Sequence, residues 1–479
     1  MGSPNALSLN AGRLPIRHGN LMDFPEDPIA CMRSLHDEFG DVAVLEDQGQ
    51  RIAFVFSPDL NREVLADVNT YHSRFFAIRG GRRSAQRRVT SGLLSMNGAE
   101  HREGRRVMMD VFTKRVLPQY HATISNLTED LMSDWEVGQT HDLNTEMVHF
   151  MVRMTNALLF GIDDAEYSIE LGIKIDKWVR QNHEVGMGAL VASEQYTDQY
   201  EQLLDMADDL EVSIQEMLSR HRQNTSASRR PDILSLMFKA QASEQQLSDD
   251  KLVGHATLTF AAAHLTTAHT FSWTLFLLAQ HPHVMNRLAE ELNSKTGSSP
   301  AYDELKECTY LDWVIKESMR VLPASSYSQR VCAEPTKLGP LNLPQGTPVI
   351  FSQFMTHHRG DIFEDPHTFR PERWENCAPS AYEYLPFGAG PRMCIGASLA
   401  MVELRTALAV MLRRFHFQIV PSTQVDGRVI ATMLGPTSTV QAELIDTALS
   451  PTTVPVSGSI HSLVDLPLEA QPLQVRKAA

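Results

Sequence analysis

The sequence predicts a mainly α fold (α+β), in which a large helical part is joined to a smaller β-rich region. Long amphipathic patterns, with apolar residues at helical spacing, dominate residues 100–319. Short stretches of β character occur near the N-terminus and again beyond Pro323, where turn residues are frequent. There is neither an internal repeat nor a long linker, so residues 26–467 are expected to form one domain between an N-terminal arm, residues 1–25, and a C-terminal tail, residues 468–479.

The first predicted elements are a helix and a small sheet. Residues 28–39 have a helical periodicity that stops at Gly40, and strands are expected at residues 42–45 and 52–56. Residues 74–90 are rich in arginine and glycine and predict a loop with one short helix.

Three breaks divide the long helical region. They are expected at Gly161, at residues 185–188 and at the polar residues 223–230, the last of which is typical of a mobile connector. Beyond Pro323 we expect short strands and turns, with one more helix after Cys394.

The composition limits the class of protein. The formal net charge of −15 argues against a nucleic-acid binder, which needs a basic surface to neutralise phosphates. The five cysteines are sparse and contain no C-x-x-C pair, so neither a disulfide framework nor a zinc site is predicted. No leader pattern begins the chain and no run of about 18 apolar residues occurs, so no membrane span is expected. The sparse cysteines fit a reducing compartment, and the protein is predicted to be a cytoplasmic monomer.

The most informative segment is residues 387–396, F-G-A-G-P-R-M-C-I-G. A cysteine on a glycine-rich loop, with Arg392 just before it and a helix just after it, has what an axial ligand of haem iron needs. The glycines let a porphyrin approach and leave backbone N–H groups free to point at the sulfur, while the positive end of the helix favours the thiolate. A small buried hydrophobe would explain a lone cysteine, but not this combination, so Cys394 is predicted to be a metal ligand.

This segment resembles the cysteine loop of the cytochrome P-450 family, F-G-x-G-x-R-x-C-x-G. The fixed positions are all met, by Phe387, Gly388, Gly390, Arg392, Cys394 and Gly396. The resemblance covers residues 25–465 and implies a single-domain cytochrome P-450 fold. It also implies haem b, iron protoporphyrin IX, buried between a long distal helix and the helix that follows the cysteine loop.

The distal helix carries the second similarity, in residues 260–268, F-A-A-A-H-L-T-T-A, where family members usually have A-G-x-(D/E)-T-T. The resemblance implies that Ala262 and Ala263 let the helix pass close over the haem, and that the hydroxyl of Thr266 helps to make a notch for oxygen. Leu265 stands where the family normally places the acid.

Three interpretations of Leu265 stay open. In the usual family mechanism, the carboxylate and the threonine relay protons to dioxygen. Here water alone serves Thr266, or a nearby side chain such as His264 or His269 substitutes for the acid, or the enzyme uses peroxide or does not activate dioxygen conventionally.

A third similarity concerns structural support. Glu317 and Arg320 match the family's E-x-x-R, which places both side chains on one helix face, and Arg373 follows in P-E-R-W. The resemblance assigns all three to a buried network behind the cysteine loop and not to the chemistry.

The fourth similarity concerns the haem carboxylates. His101 and Arg105, one helical turn apart, resemble the family's propionate-binding pair, and Arg330 and Arg392 resemble further propionate ligands. Cations are needed there because two carboxylates are costly to bury unpaired.

The family analogy also implies the substrate pocket. Its walls would be the loop before His101, residues 181–195, residues 262–266, residues 325–327 and a turn at residues 458–460. The first of these is unusual, because it crowds six arginines into an acidic protein: Arg74, Arg79, Arg82, Arg83, Arg87 and Arg88. They capture a carboxylate, a phosphate or an acidic carrier protein, or they form a solvated basic loop, or they pair with acidic neighbours between parts of the fold.

The resemblance implies a haem-thiolate monooxygenase that inserts one oxygen atom from dioxygen into a C–H bond or alkene of a small molecule. No flavin or iron–sulfur domain is visible in the chain, so a separate ferredoxin or flavoprotein is expected to supply electrons, docking near Arg102, Arg105, Arg106, Lys114 and Arg115. The alternatives are a peroxide-driven or otherwise non-monooxygenase haem-thiolate enzyme, supported by Leu265, and a haem protein that binds a ligand without turnover.

Overall fold

The structure is a computed structural model that describes residues 14–74, 78–109, 112–113, 115–161, 164–188, 195–223, 232–242 and 248–467. Within these ranges the α-helices are α1 Asp23–Glu26, α2 Pro28–Phe39, α3 Pro58–Ala66, α4 Ala85–Val89, α5 Gly98–Met109, α6 Leu117–Leu131, α7 Leu143–Phe160, α8 Ala165–Gly188, α9 Gln195–Gln223, α10 Ile233–Ala242, α11 Asp249–Gln280, α12 Pro282–Lys295, α13 Tyr302–Lys306, α14 Thr309–Val321, α15 Gln353–His357 and α16 Ala397–Arg414.

The strands of the same ranges are β1 Ile16–His18, β2 Val42–Asp47, β3 Gln50–Val55, β4 Tyr71–His72, β5 Thr140–Asp142, β6 Ser328–Cys332, β7 Thr336–Leu338, β8 Leu341–Leu343, β9 Pro348–Phe351, β10 His416–Ile419, β11 Gly427–Ile430, β12 Met433–Pro436 and β13 Gln441–Ile445. The largest sheet has six strands in the order β1-β2-β3-β9-β6-β4. It therefore joins the N-terminal strands to strands that follow α14, and it brings distant parts of the chain to one side of the helical core.

The centre of the helical part is α11. Every residue from 267 to 280 is buried, because α7, α14 and α16 pack around this stretch. Residues 261–266 are different: apart from His264 they are only partly buried or exposed. Because this stretch of about one and a half turns is open while the following half of the helix is enclosed, there is room for a flat ligand beside it.

The mainly α prediction with a smaller β-rich region is confirmed, and several predicted elements are found. Helix α2 occupies residues 28–39, and the two early strands form a hairpin in which Val42 pairs with Val55. Helix α4 lies inside the arginine-rich loop, and α7 ends at Gly161, whose φ of 64° is left-handed. Glycine at this cap avoids the strain that a Cβ would bring.

Two predictions differ from the structure in detail. The break expected at residues 185–188 is not found there, since α8 is helical through Gly186 to Gly188. Helix α15 was not predicted, because five residues are too few for a periodic pattern; its start is capped by Ser352, whose Oγ accepts from the Met355 N–H at 3.0 Å.

The ends of the chain bear on the domain prediction. In the predicted arm, β1 pairs with β2, and Leu21 and Phe24 are buried. The predicted tail, residues 468–479, and the predicted connector, residues 224–230, lie outside the described residues. The domain division stays a prediction. Among the described residues, no helix combines the length and the apolar character that crossing a bilayer requires.

Candidate functional site

The cysteine loop is a tight turn that returns to the start of its own motif. The Cys394 N–H donates to the Phe387 carbonyl at 2.8 Å. Gly388 and Gly390 have left-handed φ angles of 67° and 71°, and a Cβ on Gly390 would lie 2.4 Å from the Leu65 carbonyl oxygen of α3. Gly390 is therefore required twice, by its backbone angle and by the close approach of α3.

Cys394 stands apart from the other four cysteines, since its side chain alone is exposed. The surrounding protein is nevertheless dense enough that burial raises the pKa of its thiol, so the sulfur lines an internal recess and not the outer surface. The N–H groups of Gly396 and Ala397 and the Arg105 guanidinium lower the same pKa. These donors lie at the start of α16, where the helix dipole also favours a negative sulfur.

The four predicted propionate ligands come together from three separate segments. His101 and Arg105 lie on α5, Arg330 on β6 and Arg392 on the cysteine loop. Burial lowers the pKa of Arg330 to about 10, and burial with Arg330 and Arg105 lowers that of Arg392 to about 9. Burial and the arginines, with Arg392 foremost, lower the pKa of His101 to about 4.

This cluster has cations but no anion. Among the described residues, none of the three arginines has a carboxylate within ion-pair distance. Arg392 instead donates to the backbone oxygens of Met96 at 2.6 Å and Leu94 at 3.0 Å. Uncompensated, partly buried cations are destabilising unless a ligand brings negative charge. The two carboxylates of a haem fit this requirement.

The open part of α11 presents the predicted distal residues. Ala262 is exposed, and Ala263, Leu265 and Thr266 are half-buried. The Thr266 hydroxyl donates to the Ala262 carbonyl oxygen at 2.9 Å, and α11 stays continuous through this turn. The small residues and the threonine therefore share one face of the helix.

The two histidines beside Thr266 are buried. His264 lies two residues before Thr266, which places it on nearly the opposite face of the helix. Its Nδ1 is 2.8 Å from the Phe260 carbonyl oxygen and its Nε2 is 2.8 Å from Asp176 Oδ1 of α8. Burial lowers the pKa of His269 to about 4. Both ring nitrogens of His264 are hydrogen-bonded, so neither is available to exchange a proton with Thr266.

The predicted structural network is complete. Arg320 donates to both Glu317 oxygens, with Nη2–Oε1 at 2.8 Å and Nε–Oε2 at 3.0 Å, and Arg373 Nε donates to Oε1 at 2.8 Å. The Trp374 indole N–H and the Arg370 backbone N–H add two more donors at 3.0 Å. Glu317 is fully buried and its carboxylate is saturated by hydrogen bonds, which suits a rigid support behind the cysteine loop.

A hairpin connects the predicted pocket segments to α11. Strands β11 and β12 pair with each other, Ser325 forms a bridge with Met433, and the Gly427 N–H donates to Ser459 Oγ at 3.1 Å. The Trp273 indole N–H donates to the Leu434 carbonyl oxygen at 3.1 Å. Residues 325–327 and 458–460 therefore lie on the same side of α11, whereas residues 189–194 are outside the described part.

Asp176 was missed in the sequence. Its contact with His264 spans 88 residues, and no local pattern marks one carboxylate of α8 among several. The partner carbonyls at Leu94 and Met96 were missed for the same reason, because backbone acceptors leave no residue-type signal.

The mainly α fold, the N–H donors around the Cys394 thiol and the arginines without a carboxylate partner among the described residues are the features expected of a haem-thiolate protein. Comparison with known proteins agrees: residues 13–440 match the family model described as cytochrome P-450. The chain belongs to the cytochrome P-450 family. It is accordingly an oxidoreductase of the monooxygenase type, and its cofactor is haem b.

Similar proteins cover most of the chain. It is 29% identical over 424 residues, 86% of this chain and 90% of the other, to a Streptomyces melanosporofaciens protein named cyclooctat-9-en-7-ol 5-monooxygenase. It is 26% identical over 434 residues, 87% and 91% of the two chains, to cyclooctatin synthase of the same organism. Over a shorter span of 206 residues, 41% of each chain, it is 34% identical to a cytochrome P-450 of Bos taurus.

Proposed function

We propose that this enzyme inserts one oxygen atom from dioxygen into a C–H bond or alkene of an apolar or amphipathic small molecule, using electrons from a separate ferredoxin or flavoprotein. One observation carries the proposal. The Cys394 sulfur accepts hydrogen bonds from backbone N–H groups, and it lies near three arginines that have no carboxylate partner among the described residues. When bound, haem supplies the iron-centred activation of oxygen.

The residues around the cofactor have separable roles in this proposal. Cys394 would hold the haem iron through its sulfur, and the N–H groups of Gly396 and Ala397 would stabilise the negative charge of that sulfur. Arg105, Arg330 and Arg392, with His101, bind the propionates. Phe387 and Gly388 shape the loop; they and Gly396 are also proposed to contact the haem.

On the distal side, we assign proton delivery to water held by Thr266. Its hydroxyl is hydrogen-bonded to the Ala262 carbonyl oxygen and can pass a proton to a neighbouring water without a carboxylate. Leu265 offers no exchangeable proton, and the His264 ring is engaged with Phe260 and Asp176. Of the three interpretations of Leu265, water alone has the most support.

The electron donor is proposed to dock beside the cysteine loop. Arg102, Arg106 and Arg115 are exposed there, and Met393, next to the cysteine, is 43% exposed. Basic side chains around an apolar centre suit an acidic protein partner. Lys114 lies outside the described residues. A monomer in the cytoplasm is also proposed; the support is the net charge and five unpaired cysteines.

A peroxide-driven reaction is the second candidate, favoured by the apolar Leu265. One experiment separates the two. The reduced carbon-monoxide difference spectrum of the holoenzyme tests thiolate ligation, and product formation is then compared with a surrogate ferredoxin and its reductase and with hydrogen peroxide. Product with the electron donors supports the monooxygenase. Product with peroxide alone would overturn it, and thiolate ligation without product under either condition would favour a ligand binder.

A further inference from the structure

The six arginines between β4 and α5 differ in what they contact. Arg88 donates to both oxygens of Glu211 on α9, with Nη2–Oε2 at 2.6 Å, so this one fastens α4 to α9. The expected pairing with acidic neighbours is thus real for Arg88. Within the described part of the chain, the other five have no carboxylate at ion-pair distance: Arg74, Arg79, Arg82, Arg83 and Arg87.

Arg79 differs from the other four because it is half-buried, whereas they are exposed. Its Nη2 donates to the Ser95 carbonyl oxygen at 2.5 Å. Burial lowers the pKa of Arg79, Arg87 and Arg74 lower it further, and the carboxylate of Glu100 acts in the opposite direction. Three cations thus concentrate positive potential at a place from which water is partly excluded, where an anion is bound more strongly than at an open surface.

The backbone that carries Arg79 is held from two helices. The carbonyl oxygen of Ile78 accepts from Gln86 Nε2 of α4 at 2.8 Å and from Asn182 Nδ2 of α8 at 3.4 Å. Gln86 Oε1 in turn accepts from the indole N–H of Trp178 at 2.8 Å. Because Gln86 and Asn182 are buried, Arg79 is presented from a fixed position, which lowers the entropy cost of binding a ligand.

Two buried polar atoms beside Arg79 are left without partners. They are Ser95 Oγ, in a residue 6% exposed, and Asn182 Oδ1, in a residue 1% exposed; neither has a hydrogen-bond partner among the described residues. Such atoms are costly unless a ligand or water satisfies them. The Ser95 hydroxyl can donate to the same anion that Arg79 binds, and the Asn182 oxygen can accept from a hydroxyl or water beside it.

This polar group lies at the rim of the haem site. Ser95, which holds Arg79, is flanked by Leu94 and Met96, whose carbonyl oxygens accept from Arg392. The two sets of cations are therefore separated by one backbone segment. An anion bound at Arg79 would therefore lie one backbone segment away from Arg392, which is proposed to bind a haem propionate.

We infer that Arg79, with Ser95, binds the carboxylate of an amphipathic small-molecule substrate, and that Arg74 and Arg87 attract it. The inference rests on the proposed monooxygenase function and specifies its substrate class. A small acid fits better than an acidic carrier protein, because the two unpartnered atoms and Arg79 lie inside the fold, whereas a protein surface would need the exposed arginines alone.

The test is an optical titration of the holoenzyme, in which a bound substrate changes the haem absorption spectrum. The probes are matched pairs of acid and alcohol: lauric acid with lauryl alcohol, retinoic acid with retinol, and abietic acid with abietinol. In at least one pair we expect the acid to bind about tenfold to a hundredfold more tightly than the alcohol, as for a charge-assisted hydrogen bond. Added salt should weaken the binding of the acid and leave the binding of the alcohol unchanged.

The variants are Arg79→Gln and the matched control Arg83→Gln, an exposed arginine of the same loop. Arg79→Gln should remove the preference for the acid and leave alcohol affinity unchanged, and Arg83→Gln should keep the preference. Arg79→Lys should retain part of it, since the charge remains but the planar fork is lost.

The inference fails if no pair shows tighter binding of the acid. It also fails if Arg79→Gln weakens the binding of acid and alcohol equally. Loss of haem from Arg79→Gln would overturn it as well, because Arg79 would then be a propionate ligand. If the enzyme binds an acyl group tightly only when an acidic carrier protein presents it, the arginines bind that carrier protein and the inference is overturned. The monooxygenase proposal is tested separately by the carbon-monoxide spectrum and by turnover of the alcohols, and it can stand when the carboxylate site fails.

Discussion

His264 of the distal helix and Asp176 of α8 form an ion pair with Nε2 and Oδ1 2.8 Å apart, in which the histidine is fully buried and the aspartate side chain is 25% exposed. The pair ties α8 to the centre of the fold, one residue before Leu265. The sequence offered His264 as a substitute for the missing acid, but its ring instead holds α8 and α11 together.

Breaking this pair should change stability in a pH-dependent way. Burial opposes protonation of His264, but Asp176 outweighs it and raises its pKa. The pair therefore stabilises the fold fully below the ordinary histidine pKa, and the contribution is lost as the pH rises through the raised folded-state pKa. Asp176→Asn should lower the free energy of unfolding by about 1.5 to 3 kcal/mol at low pH, with a smaller loss at high pH.

Thermal melts of wild type and Asp176→Asn across this range test the prediction. Glu170→Gln is the control, since Glu170 is on the same helix but its pair with Lys174 is exposed and should contribute little. A loss that is equal at all pH values would show that the carboxylate acts without a charged His264.

Removing a proposed propionate ligand should loosen the cofactor. Arg392→Gln and Arg330→Gln each delete a charge-assisted hydrogen bond and should accelerate haem transfer to apomyoglobin by about tenfold to a hundredfold. Arg62→Gln, an exposed arginine on α3, should have no effect. Unchanged transfer rates in both variants would contradict the assignment of the cation cluster.

Glu317→Gln should be severely destabilising. It leaves Arg320 and Arg373 buried without a counter-charge, and breaking such a pair costs about 3 to 5 kcal/mol. Denaturant unfolding measures the loss, with Glu216→Gln, which removes an exposed pair with Arg220, as the control. Normal stability of Glu317→Gln would mean that the backbone acceptors around the arginines suffice.

Two glycines of the cysteine loop, Gly390 and Gly396, should respond differently to substitution by alanine. At Gly390 the left-handed φ and the Leu65 oxygen at 2.4 Å both oppose a Cβ, so Gly390→Ala should lose about 1 to 3 kcal/mol of stability and much of its haem. At Gly396 the φ of −85° is ordinary and the nearest atom to a Cβ is 3.8 Å away. Gly396→Ala should keep the stability of the wild type, and a comparable loss of stability in both variants would contradict the geometry.

The distal residues should affect the coupling of electrons to product. Thr266→Ala removes the hydroxyl that holds the proposed water and should reduce the ratio of product formed to reductant consumed by about tenfold or more. Leu265→Asp should leave the product unchanged and alter that ratio. Product and reductant are measured together, and Thr267→Ala, a neighbouring threonine that is buried, is the control. Unchanged coupling in Thr266→Ala would remove the water-relay proposal.

The cysteine loop shows what could be predicted locally. Its glycines, Arg392 and Cys394 are neighbours in sequence, so the backbone angles and the N–H donors that define it are largely local properties. The pair Glu317 and Arg320 is similar, because a spacing of three places both on one helix face. By contrast, the hydrogen bond from the Trp374 indole N–H to Glu317 joins residues 57 positions apart, so it depends on how distant segments pack.

By itself the sequence determined the helical class, the cysteine loop and the order of the motifs, since each depends on residues within one or two turns of one another. Only the tertiary structure decided that Arg88 pairs with Glu211 while Arg79 donates to the Ser95 carbonyl oxygen, and that His264 turns toward Asp176 and away from Thr266. The direction of a side chain depends on which distant segment packs against it, and that packing is set by the burial of the whole core.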